Sequence, residues 1–307
     1  MKAFASWVMK GRMQAVIAAT VLAVLALLVA PLAMVSSAVV MLAVLRQGWR
    51  EGLLVVGSAL LAIAGLGGLL FQMPIPSLLI GLMLWVPAAV LGAVMGVTGS
   101  LRRAIEAAAI GAGGIVLLQY LMIDDPVAFW ADVLNTFLAQ RFTADELAGL
   151  DAGPALQMLA TWMPGGVGAT WLLSTALSLL LARHWSSLID APGAFGREFR
   201  ELRFGRWLLI LVPLLLIGGV LVTGGTPNVL GQLYVVGMVI FLFQGISVAH
   251  ALVADFGASV GWLVGLYLLL ILVAPQGATA VASVGYVDGW LDLRARARAR
   301  RDRPGGE

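Results

Sequence analysis

Uncharged stretches of eighteen or more residues recur along the whole chain, and they constrain the fold more than any motif does. From Met13 to Leu45 there are 33 residues without a single charge. As one helix this run would be about 50 Å long, far beyond the ~30 Å hydrocarbon core of a bilayer; split in two, each half is barely long enough to cross. Of the 307 residues, 61% are hydrophobic and 11% charged, whereas a soluble domain carries about 25% charged residues. The expected fold is an all-α polytopic integral membrane protein with about eight to ten transmembrane helices.

The apolar segments fall at Met13–Ala30, Leu32–Leu45, Leu53–Phe71, Leu78–Thr98, Ala104–Met122, Gly166–Leu181, Trp207–Val222 and Val229–Leu252. A final stretch, Ser259–Leu291, is broken at Pro275-Gln276-Gly277. Eighteen of the nineteen basic residues cluster at 2–12, 46–50, 102–103, 183–206 and 294–303, and Arg141 is the exception. Cytoplasmic loops carry the Lys and Arg excess, so an even number of crossings must separate neighbouring clusters. The chain therefore has to turn at Pro31 and again at Pro275, giving short hairpins at both ends and both termini in the cytoplasm. Trp7, Trp49, Trp185, Trp207 and Trp290 all fall at the expected inner interface.

The N-terminus has the basic start and the small residues (Ser36, Ser37, Ala38) of a secretory signal. Its apolar run exceeds the 7–15 residues of a cleaved signal and continues as membrane segment, so an uncleaved first helix is expected. Residues 1–12 are read as a cytoplasmic N-terminus, 13–291 as a single transmembrane domain and 292–307 as a basic cytoplasmic tail.

Two longer connections interrupt the spans. In the acidic outer segment, residues 125–164, Thr143 and Glu146 have capping-box spacing, and Trp130, Leu134, Phe137 and Leu138 share one face. In the cytoplasmic segment, residues 193–206, Phe195, Phe199 and Leu202 make an apolar stripe. Both read as amphipathic interfacial helices.

Catalytic signals are nearly absent. The chain has no cysteine and only two histidines, His184 and His250. It carries no metalloprotease, nucleophile-elbow or nucleotide-binding motif. Glu106 is one turn from Arg102 and pairs with it on a helix surface. No catalytic residue, metal site or cofactor is expected, and the protein is read as a non-enzyme.

What remains is binding and association. Ala15, Ala19 and Ala23 repeat every four residues, as do Gly257, Gly261 and Gly265, with Gly92 and Gly96 a shorter case. Such faces let helices approach closely, inside the bundle or against a partner. Gln244, Ser247 and His250 form a polar stripe on one helix. Gln119 and Tyr120 could meet Asn228, Gln232 and Tyr234 near the outer ends. Buried amides serve either as interhelical glue or as ligand contacts. The six arginines of DLRARARARRDR suit a topogenic signal that also binds anionic lipid, and a short basic run does not suffice for nucleic acid. Asp288 and Asp292 are expected to pair with nearby arginines.

Three stretches, LRQGWREG, FLFQGISVAHALV and GYVDGWLDLRAR, resemble the YybS-like family of bacterial multi-pass membrane proteins. The Trp162-Met-Pro164 step and the Phe199–Arg206 approach to the seventh segment add to the likeness. The resemblance implies a bacterial inner-membrane location and brings no assigned activity. More distantly it implies similarity to the substrate-binding components of energy-coupling-factor transporters and to the rod-shape protein MreD. In the transporter components an A-xxx-A first helix docks on the energising partner, a pattern matched here by Ala15, Ala19 and Ala23. The leading expectation is a small-molecule binding subunit working with a separate ATPase complex, with Gln119, Trp171, Asn228 and Gln232 as ligand contacts. The alternative is a non-transporting scaffold that recruits protein partners. A binder predicts a hydrated outer cavity lined by polar groups, and a scaffold predicts those groups paired in a packed core.

Overall fold

The computed structural model describes residues 1–142, 153–223 and 228–301. The capping-box residues Thr143 and Glu146, with Asp145 and Asp151, lie outside the described residues, as does Arg303.

Among the described residues the regular structure is fourteen helices. They are α1 (Lys2–Val8), α2 (Arg12–Leu25), α3 (Leu32–Gln47), α4 (Trp49–Phe71), α5 (Pro74–Thr98), α6 (Leu101–Met122) and α7 (Pro126–Ala139). There follow α8 (Gly153–Asp190), α9 (Ala194–Arg200), α10 (Arg206–Thr223), α11 (Val229–Asp255), α12 (Gly261–Leu272), α13 (Gln276–Leu291) and α14 (Leu293–Arg301). Five of them, α4, α5, α6, α8 and α11, are long and apolar enough to cross a membrane. Leu61, Leu69 and Met83 are each more than three-quarters exposed on the long helices. Water would penalise that apolar surface, whereas a bilayer accepts it. The chain is an all-α polytopic membrane protein.

The helices pack as two compact units. One holds Met1–Ala108 with Leu173–Leu202; the other holds Ala109–Leu172 with the chain from Arg203 onward. In the first unit, α3 is the core. Nine consecutive residues, Ser36 to Val44, are buried, which a helix achieves only when neighbours surround it. The Ser36 hydroxyl donates to the Ala19 carbonyl at 2.7 Å and accepts the Trp85 indole N–H at 2.9 Å. The small residues that imitate a cleavage site are thus the contact points between α2, α3 and α5. Gly92 packs so closely that a Cβ there would lie 3.0 Å from the Met41 carbonyl.

The N-terminal run does turn back. Arg12 at the start of α2 pairs with Glu51 at the start of α4, 2.8 Å apart, so both ends of the α2–α3 hairpin lie at one end of this unit. At 14 and 16 residues, these helices reach about 21 and 24 Å, short of a full crossing. Trp185, expected at an interface, is instead buried against the Phe4 ring. Phe199 and Leu202 are also buried, so α9 packs into its unit with its stripe inward.

In the second unit α11 is the organising helix and α13 its main partner. A Cβ at Gly245 would run into the Val281 carbonyl, and one at Gly285 into the Phe241 carbonyl. Only glycine lets these two backbones meet. Here the sixth span is longer than the sequence implies: α8 begins at Gly153 and carries Pro164 inside it. Residues 153–164, expected in the outer connection, are helical.

Candidate functional site

The second unit contains a cavity of about 760 Å³. Its walls come from Met158, Trp162 and Gly166 of α8, Leu216 and Gly219 of α10, Val235, Met238 and Leu242 of α11, and Ala278 and Ala282 of α13. Asn228, Tyr234 and Thr279 are its polar members, and no charged side chain lines it among the described residues. These segments meet where α10 gives way to α11 and where α12 turns into α13. Arg206, which opens α10, and the arginine run from Arg294 that follows α13 lie at the ends of those helices away from the cavity. Two glycines help to open the space: a Cβ at Gly166 meets nothing within 4 Å, and one at Gly231 only the Asn228 Oδ1 at 4.0 Å.

Beside the cavity is a polar node that holds the Pro164 interruption. Proline supplies no N–H and frees carbonyls in the preceding turn. The Gln232 Nε2 donates to the Thr161 carbonyl at 2.7 Å, and its Oε1 accepts the Gly165 N–H at 2.8 Å. One side-chain amide therefore meets both sides of the Thr161–Gly165 step. Gln119 Nε2 donates to the Pro164 carbonyl at 3.1 Å, and its Oε1 accepts the Trp130 indole N–H at 2.9 Å. Gly165 and Gly168 admit this approach, since a Cβ at Gly165 would come within 2.6 Å of Gln232 Oε1 and one at Gly168 within 3.0 Å of the Ala112 carbonyl.

Three of the four expected ligand residues, Gln119, Gln232 and Asn228, are engaged within the protein. Gln232 has no exposed surface and with Gln119 supports the α8 backbone. Trp171 packs over Gly111, 3.1 Å from where a Cβ would sit. Asn228 does line the cavity, but its side chain is committed. Its Oδ1 accepts the N–H groups of Leu230 and Gly231 as an N-cap, and its Nδ2 donates to the Gly219 carbonyl. The Tyr234 hydroxyl and the Trp162 indole N–H are the polar groups in the lining without a hydrogen bond to the described residues.

At the other end of α11 the polar stripe anchors the C-terminal region. Gln244 accepts the Phe204 N–H at 3.1 Å and donates to Asp288 Oδ2 at 3.2 Å. Arg294 pairs with Asp288 at 2.7 Å and reaches Ser247 Oγ at 3.4 Å. Arg203 pairs with Asp292 at 2.6 Å, which holds the Asp292 carboxyl below its ordinary range. Arg298 and Arg301 contact the Asp255 carboxylate and carbonyl. Within the tail, residues 293–301 form a helix docked on α11. His250 meets the Tyr267 hydroxyl at 2.9 Å and so links α11 to α12.

The small-residue faces divide. Ala15, Ala19 and Ala23 are buried inside the first unit and present no free docking face. Gly257 is left-handed at φ +59°, in the turn after α11. It shares no helical face with Gly261 and Gly265 of α12; a Cβ at Gly261 would meet only the Ser259 Oγ at 3.4 Å, and one at Gly265 nothing within 4 Å. On α7, Trp130, Leu134 and Leu138 are half-buried while Phe137 is exposed and lies under the Arg141 guanidinium. The contacts most consequential for packing, Gly245 and Gly285, were hidden by spacing, since they face each other from different helices. Their sequence signal is a glycine beside a polar stripe and another four residues before Gly289.

No family model, curated protein or solved structure matches this chain.

Proposed function

We propose that this chain is a membrane-embedded binding protein of a bacterial inner membrane, holding an apolar or amphipathic small molecule in the cavity of its second unit. The supporting observation is the cavity. Its volume of about 760 Å³ falls in the roughly 300–1,000 Å³ range of small-molecule sites, and its walls are apolar with few polar groups. Gln119 and Gln232 serve the architecture in this reading, and selectivity comes from cavity shape and Tyr234. With the basic clusters in the cytoplasm, the cavity lies toward the outer leaflet. A separate energising partner remains part of the proposal, but the alanine stripe is too buried to be its docking surface.

The scaffold reading draws support from the same amides, because it predicts them paired. It gives no role to the cavity. A ligand-stabilisation screen on the purified protein separates the two. A bound compound at 100 times its Kd stabilises by about 2.7 kcal/mol, so apolar and amphipathic compounds are expected to raise the melting temperature of the wild type. Gly166→Phe fills open space, so it should melt near wild type and lose the ligand shift. An undiminished shift in that variant would place the ligand elsewhere, and no shift in any protein would favour the scaffold.

A further inference from the structure

The geometry points to a neutral single-chain amphiphile, such as a long-chain alcohol or ester, as the occupant of this cavity. The inference rests on the binding reading and adds the chemistry of the ligand. Three observations carry it. The first is length. The lining runs along α11 from Asn228 to Leu242, fourteen residues or about 21 Å at 1.5 Å per residue. One leaflet of the hydrocarbon core is about 15 Å deep, so the apolar lining is on the scale of an acyl chain. A compact polar metabolite would leave most of that apolar wall uncovered.

The second observation is charge. No Lys, Arg, His, Asp or Glu lines the cavity among the described residues. A carboxylate or phosphate brought there would lose its hydration without a counter-ion, which is strongly unfavourable. The third is the placement of a hydrogen-bonding group in the lining that is not committed elsewhere. Asn228 is occupied by backbone, and the Thr279 hydroxyl donates to the Pro275 carbonyl at 3.1 Å. The Tyr234 hydroxyl has no such bond. Tyr234 stands six residues into the lining from Asn228, about 9 Å along the helix, with the wall beyond it formed by Val235, Met238, Val239 and Leu242. A chain whose hydroxyl or ester group bonds Tyr234 therefore follows that wall for about 12 Å and folds back over the rest of the apolar lining.

The test uses full-length protein in phosphatidylcholine nanodiscs and a diazirine-bearing C16 alcohol, with the crosslinked residues located by peptide mass spectrometry. The expected label falls on Met158, Trp162 and residues 234–242. Unlabelled hexadecanol should compete with it, whereas hexanol and palmitate at pH 8 should not. Tyr234→Phe should weaken labelling roughly three- to tenfold, the loss of one hydrogen bond, and Gly166→Phe should abolish it. Label spread equally over α12 and the outer faces of α4 would overturn the inference as ordinary lipid contact. Competition by palmitate as strong as by hexadecanol would overturn the neutral class. If a compact compound stabilises the wild type and hexadecanol does not displace it, the amphiphile falls and the binding reading stands. If nothing labels and nothing stabilises, both fall.

Discussion

Asp288 has no exposed surface, and its carboxylate lies 2.7 Å from the Arg294 guanidinium. Breaking a buried pair by removing one partner costs about 3–5 kcal/mol, because the other charge is left uncompensated. Arg294→Met leaves Asp288 with Arg203 at 3.8 Å and the Gln244 amide, so it should lower the unfolding free energy by less than that amount, and Asp288→Leu with Arg294→Met should recover part of the loss. An additive double mutant would show that the pair is not coupled. Gln232 teaches a different lesson. The sequence marks it as a buried amide near the outer end of a helix, but a lone amide at that depth is consistent with either ligand or glue. What decides it is Thr161 and Gly165 across the unit, at a distance of 71 and 67 residues. Gln232→Leu leaves a buried N–H and a buried carbonyl unpaired, and each such loss costs about 1–3 kcal/mol. We expect it to destabilise at least as much as Gln244→Leu in denaturant titration, although the sequence points to a ligand role for Gln232 alone of the two.

At the scale of elements, an uncharged run lies in each of the five helices long and apolar enough to cross a membrane, because charges cannot be hidden in lipid and so mark the ends. Such runs do not locate helix contacts, which depend on which glycines face each other. Gly245→Ala should disrupt the α11–α13 contact and lower expression of folded protein, while Gly265→Ala, with open space around it, should be neutral or gain up to about 1 kcal/mol of helix propensity. Size-exclusion profiles of the two variants check the contrast. Segment ends also misled at α8, since Pro164 looks like a helix boundary until two side-chain amides are seen to support the backbone around it. The docking of α14 carries a pH signature. Asp292 has a depressed folded pKa because Arg203 pairs with it, so its contribution is present above the ordinary aspartate value near 3.9 and is lost as pH falls through the lower folded value. Hydrogen exchange of α14 amides should rise beyond the intrinsic trend below about pH 4 in the wild type, and Asp292→Asn should show that loosened state already at pH 7.

For the whole molecule, the positive-inside pattern and the α2–α3 hairpin give the same parity. The absence of cysteine makes single-cysteine labelling clean. A cysteine in place of Gly48 should react from the cytoplasmic side and one in place of Asp124 from the outside; the reverse pattern would invert the orientation. The cavity was not legible in the sequence, because its walls are apolar residues indistinguishable from lipid-facing ones until four helices are assembled. The measurement that bears most directly on its being a binding site uses Gly166→Cys and, as a lipid-facing control, Gly265→Cys. Each is reacted with hexadecyl methanethiosulfonate and its melting temperature compared with the unreacted protein. A chain tethered at position 166 should lie in the cavity and raise the melting temperature by several degrees, while the same chain at position 265 should leave it unchanged. Equal responses at the two positions, or a fall at 166, would contradict a cavity built to hold a ligand.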